Sequence, residues 1–192
     1  MKSLKGYTPG LARLLGTTPQ ALYERQRALV RAGMFGIDNV NVKDGRGPGS
    51  GVRGTAPSVA LLLIGVLACD GLVGMERRVR DIAGTKPVDT KRCPLTQTPT
   101  FLDALARIIS SGPLPHWVTE ITVSRTAARA SIAYKKPRER AASVEFAGPQ
   151  DIEPDLRVTA TLAGKTLRAV AVDVTAMLHE KFDELAEEGR GQ

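Results

Sequence analysis

Histidine and cysteine are almost missing from this 192-residue chain, with two of each. Cys69 and Cys93 form no Cys-x-x-Cys pair, which excludes a disulfide scaffold and points to a reducing, cytoplasmic setting. His116 and His179 have no serine or cysteine partner at motif spacing, and no His/Cys/Asp cluster has metal-ligand spacing. His116 reads as a loop residue and His179 as a helix-surface group. The chain is therefore expected not to be an enzyme, and to need neither a metal nor a cofactor. Long apolar runs are lacking as well. The run Val59–Cys69 falls short of the roughly 20 residues a bilayer crossing takes, so it reads as a buried core helix. Met1–Gly6 does not open an apolar leader. No membrane partner is expected.

What is present is a packed, basic chain. Hydrophobic residues make up 42% and charged residues 24%, enough for a core and too apolar for global disorder. The formal net charge is +7, which favours polyanionic partners. Its distribution is uneven. Residues 1–56 hold nine basic against three acidic residues, a net +6, whereas residues 117–192 hold eleven against twelve. A phosphate-binding surface needs such focusing, because affinity rises with the number of phosphates neutralised.

The basic segment also carries the most specific pattern. Thr8-Pro9 reads as a helix start, with Leu11, Leu14 and Leu15 on one face and Gly16 as its end. Thr18-Pro19 repeats the start signal, Leu22, Leu29 and Val30 form a buried stripe, and Gly33 closes the second helix. Two short helices joined by a tight turn read as a helix-turn-helix unit, in which the first helix braces the second in a major groove. Along the second helix, Gln20 can pair with adenine, Arg27 with guanine, and Glu24 can accept from cytosine. Tyr23 can bond a phosphate, Arg31 adds charge, and Thr17 and Thr18 lie where a helix N-terminus meets phosphate.

Residues Asn39–Lys43 alternate as a short strand, Gly45–Gly51 is a loop, and Val52-Arg53 suits a returning strand. As a wing, this hairpin would carry Lys43, Arg46 and Arg53 to the flanking backbone or minor groove. Gly49, Gly51 and Gly54 match a dinucleotide-binding pattern by letter, without its βαβ context. A plain flexible loop is the third reading.

Further along, Ser58–Cys69, Met75–Ala83 and Thr98–Ser110 read as helices. After Pro113 and Pro115 the period shifts towards two, through Ile121 and Val123, Ile132 and Tyr134, Val144 and Phe146, and Val158 and Leu162. This gives roughly five short strands, with Lys135–Arg140 as an exposed hairpin loop. Gly164-Lys165 reads as a turn before a strand at Leu167–Val172. A helix over about Val174–Glu188 ends the chain, its acidic residues reading as a solvated face. The expected fold class is α+β. A winged helix-turn-helix domain spans residues 1–84, a linker 85–97, and a small α+β domain 98–192 with an antiparallel sheet and a C-terminal helix.

Leu11-Ala-Arg-Leu-Leu-Gly16, Ala21-Leu-Tyr-Glu-Arg25 and Leu29-Val-Arg-Ala-Gly33 together resemble the winged helix-turn-helix of MerR-like regulators. They are also similar to small DNA-binding proteins of phages and other mobile elements. The resemblance covers about 50 residues. It implies a transcriptional regulator that binds a two-fold operator in double-stranded DNA as a homodimer. Thr18, Gln20, Tyr23 and Arg27 match the recognition-helix positions, and Arg46 and Arg53 the wing positions. The long dimerising helix and the effector-binding cysteines of MerR regulators are missing, so metal or drug sensing is not implied. The C-terminal region is expected to dimerise or recruit another protein. The alternatives are a phage structural or assembly protein, such as a small DNA-packaging subunit, and a recombination accessory factor.

Overall fold

The computed structural model describes residues 3–35, 52–149 and 156–188, with side chains as far as Ala176. Helix α1 (Leu4–Leu15) and helix α2 (Pro19–Arg31) are joined by the short turn Gly16–Thr18. Ser3 caps α1, and its hydroxyl accepts from the Gly6 amide at 3.3 Å. The start signal at Thr8-Pro9 is thus overridden. Leu4, Tyr7, Thr8 and Leu11 share one buried face, and burying it outweighs the main-chain bond that Pro9 cannot donate. Thr8 instead turns its hydroxyl back to the Leu4 carbonyl, at 3.1 Å.

Helix α3 (Ala56–Ala68) lies at the centre of the protein. Thr55 and Ser58 form a reciprocal capping box at its start. The helix is apolar all round, and Val59, Leu62, Leu63 and Ile64 have no exposure, as expected of a helix surrounded by protein. It packs on α2, on α4 (Met75–Ala83) and on α5 (Phe101–Ser110). Between α4 and α5, strand β1 (Lys86–Pro87) forms a sheet edge. A short helix, α6 (Leu114–Trp117), contains His116, which the sequence placed in a loop.

Strands β2 (Val118–Ser124), β3 (Arg129–Tyr134), β4 (Ala142–Ala147) and β5 (Thr159–Ala163) complete a five-stranded antiparallel sheet of order β1-β4-β3-β2-β5. Ile121, Val123, Ile132, Tyr134, Val144 and Phe146 alternate into the core. The Phe146 ring meets Phe101 of α5 edge-on, with centroids 5.3 Å apart. The chain is therefore α+β, with helices early and the sheet and a terminal helix later. The Lys135–Arg140 segment does form the β3–β4 hairpin connection. It is held by a 3.6 Å Lys136–Glu139 ion pair, and Arg138 adopts a positive φ of 64°.

One expectation is corrected. The terminal helix, α7, spans Gly164–Glu188 and begins ten residues early, so no strand forms at 167–172. Leu167, Val170, Ala171 and Val174 are buried at helical spacing, a stripe that the alternating Leu-Arg-Ala-Val-Ala-Val disguises as a strand. Gly164 permits the abrupt change. A Cβ there would lie 2.1 Å from the Val118 carbonyl oxygen, so the chain leaves β5 pressed against β2. One buried cluster runs from Leu4 to Val174, and the stretch expected as a linker supplies β1 and buries Cys93 and Leu95.

Candidate nucleic-acid interface

The α1–α2 turn follows directly from its residues. Gly16 takes the left-handed conformation at φ 64°, which costs glycine nothing. This lets the Thr17 amide reach back to the Ala12 carbonyl at 2.9 Å. The Thr17 N–H is therefore spent inside the protein, which removes the phosphate donor expected there. Thr18 caps α2, its hydroxyl accepting from the Ala21 amide at 3.1 Å, and Pro19 opens the helix.

Helix α2 buries Leu22, Gln26 and Leu29, one face at i, i+4 and i+7 that packs on α1, α3 and α4. Residues 20, 24, 27 and 31 recur at the same spacing on the opposite face. Gln20 and Arg31 are exposed, and the Glu24 and Arg27 side chains keep 32% and 30% of their surface. These groups touch one another. The Gln20 side-chain amide donates to Glu24 Oε1 at 2.8 Å, and Arg27 Nη1 donates to both Glu24 oxygens at 3.3 Å. The Arg27 guanidinium lies 5.8 Å from the centroid of the Tyr23 ring. Lys5 of α1 brings its ammonium to 5.3 Å of the same ring, a cation–π distance in both cases.

Gln20, Tyr23, Glu24 and Arg27 are thus brought into one connected patch, with Thr18 and Arg31 at its two ends. Lys5 is the residue that sequence reasoning missed. It precedes the segment read as the first helix, and only the earlier start of α1 sets it beside Tyr23.

Arg53 is exposed. Its backbone pairs with Ser3 in an isolated antiparallel bridge, and the Val52 carbonyl accepts from the Leu4 amide at 2.8 Å. The returning strand therefore pairs with the start of α1. Lys43 and Arg46, with the expected strand at 39–43 and the loop at 45–51, lie outside the described residues.

Not all the positive charge is directed outward. The last turn of α3 carries no basic residue and its cap, Cys69, is extended, so its carbonyls need donors from elsewhere. Arg25 of α2 donates to the Cys69 and Asp70 carbonyls at 3.3 and 2.8 Å. Arg125 donates to the Leu67 carbonyl at 3.1 Å and pairs with the Asp70 carboxylate. Arg78 of α4 donates to the Ser124 and Ala127 carbonyls at 2.9 and 2.7 Å, tying α4 to the β2–β3 turn. Burial pushes the Cys69 thiol up, and the charges of Arg78, Arg25 and Arg125 oppose the shift. These three arginines hold the helices and the sheet together at the end of α3.

Among the described residues, no group of three or more His, Cys, Asp or Glu could hold a metal ion. No helix among them is long and apolar enough to cross a membrane. No protein-family model, curated protein or solved structure matches the chain, so its function has to be read from its own residues.

Proposed function

We propose that this chain is a sequence-specific double-stranded DNA-binding protein, a transcriptional regulator acting as a homodimer in the cytoplasm, and that α2 enters the major groove. One observation carries the reading: Gln20, Glu24 and Arg27 gather on the outward face of α2, opposite its buried Leu22, Gln26 and Leu29. An amide and a guanidinium at this spacing address successive base edges, adenine through Gln20 and guanine through Arg27. In the free protein Glu24 occupies both donors. An ion pair of this exposure is worth about 0–1 kcal/mol, whereas a bidentate base contact contributes about 1–3 kcal/mol. Exchange of partners therefore favours the duplex. Lys5 and Arg31 flank the patch and supply phosphate contacts, which position the helix without reading sequence.

The direct test is selection of bound duplexes from a random pool by the full chain. The proposal expects enrichment of one site with two-fold symmetry. Failure to enrich any site, with binding that is weak and indifferent to sequence, overturns it.

A further inference from the structure

The two edges of the sheet differ in a way that bears on self-association. At the β1 edge, Val88 donates its amide to the Glu145 carbonyl at 2.9 Å. The register Lys86↔Ala147 and Pro87↔Phe146 then turns the main-chain groups of residues 86 and 88 towards β4 and those of Pro87 outward. Proline has no N–H to offer there, and Lys86 is exposed beside it. Lysine and proline are the usual protection of an open edge.

The β5 edge has neither. Arg125 donates its amide to the Val158 carbonyl at 2.7 Å. With the register Val123↔Ala160 and Ile121↔Leu162, alternation turns residues 158, 160 and 162 towards β2. The amides and carbonyls of Thr159 and Thr161 point away from the sheet, and no main-chain partner meets them among the described residues. The strand reads Thr-Ala-Thr-Leu-Ala, without charge, proline or bulge. Thr159, Thr161 and Ala163 are exposed. Just ahead of the strand, Val158 and Leu156 keep 37% and 71% of their surface.

We infer that β5 pairs antiparallel with β5 of a second copy of this chain, around a two-fold axis at Ala160, so that two sheets join edge to edge. In this register Thr159 meets Thr161 of the second copy and Thr161 meets its Thr159. Each pair exchanges two main-chain hydrogen bonds, so the outward groups of both residues are used. Val158 then faces Leu162 across the seam, and small Ala160 lies on the axis. The strand carries no charge and so sets no like charges against its own copy, and the axis at Ala160 places both outward-facing threonines in main-chain pairs. The inference shares with the proposed function only the expectation of a dimer, and its test contains no DNA, so the two fail separately.

The test is the mass of the full chain in solution, by sedimentation or light scattering across a concentration series, for the natural protein and two variants. Thr161→Pro removes the outward N–H. Thr159→Lys with Thr161→Lys sets lysine against lysine across the seam, at positions exposed in the monomer. Twice the 20.5 kDa chain mass is expected for the natural protein, and the single mass for both variants with unchanged circular dichroism. A natural protein that stays monomeric, or folded variants that remain dimeric, overturns the inference. Amide exchange of the natural protein decides without any variant. Exchange at Thr159 and Thr161 is expected to slow as protein concentration rises, and indifference to concentration contradicts the pairing.

Discussion

Glu24 holds Arg27 in place: the guanidinium donates to both carboxylate oxygens at 3.3 Å while lying over the Tyr23 ring. Tyr23, Glu24 and Arg27 of α2 are thus ordered by one another in the free protein. The rotamer freedom of a long arginine costs about 1.5–2 kcal/mol to fix, and part of that cost is met in the free protein. If α2 reads DNA as proposed, Glu24 also withholds Arg27 from phosphates in general and so favours a specific contact over a promiscuous one.

Arg27→Ala is expected to cost about 1–3 kcal/mol of affinity for the selected site and to relax preference at one base position. Competition titrations against single-base variants of that site check it. An unchanged preference profile counts against base readout by this residue.

Glu24→Ala works in the opposite direction. Freed from its carboxylate, Arg27 becomes available to any phosphate. Affinity for duplexes of unrelated sequence is expected to rise and the slope of binding against salt to steepen by about one phosphate contact. Anisotropy titrations over a salt series measure both.

Arg25 stands on the same helix yet has a different consequence. Its guanidinium serves the Cys69 and Asp70 carbonyls, so Arg25→Ala is expected to lower stability by about 1–3 kcal/mol. The sequence preference of the folded fraction should stay unchanged. Denaturant unfolding together with the competition titration separates it from Arg27→Ala.

Tyr7 governs behaviour in alkali. Its hydroxyl is buried and donates to the Val170 carbonyl at 3.4 Å. Burial, and then the charge of Asp173, push its pKa well above the ordinary value near 10. An acid whose pKa is raised on folding contributes full stability below its unfolded pKa. That stability drains away as the unfolded state ionises and pH climbs towards the folded value. Stability is expected to fall from about pH 10 upward, and Tyr7→Phe should flatten the fall. Thermal melts of both proteins between neutral pH and strong alkali provide the comparison.

Gly164→Ala tests the strand-to-helix junction. The added methyl would meet the Val118 and Thr119 carbonyl oxygens at 2.1 and 2.9 Å. Overpacking against a fixed backbone costs about 1–3 kcal/mol or more, so a lowered melting temperature with unaltered DNA preference is expected.

Much of this fold is legible in the sequence because its signals are local. Thr18-Pro19 opens α2 and Met75–Ala83 forms α4 as read, and the alternation through Ile121, Ile132, Val144 and Leu162 marks four strands. The misreadings share a cause, which is tertiary packing. The buried stripe from Leu4 draws α1 back past Pro9, and the carbonyls of Val118 and Thr119 decide what Gly164 does. The patch on α2 was legible from spacing alone, since positions 20, 24 and 27 share a face in any helix. The work of Arg25, Arg78 and Arg125 was not. Their acceptors are carbonyls 44 to 58 residues away for Arg25, Arg78 and Arg125 alike, and charge counting cannot tell an internal cap from a phosphate contact.

The central claim, that α2 presents Gln20, Glu24 and Arg27 to duplex DNA, is tested most directly by amide chemical shifts of the full chain titrated with the selected duplex. Shifts concentrated at residues 17–31 are expected, with loss of the Gln20 and Arg27 bonds to Glu24 and a quiet β-sheet. Shifts gathered on the sheet while α2 stays unmoved, or no shifts at all, would contradict it.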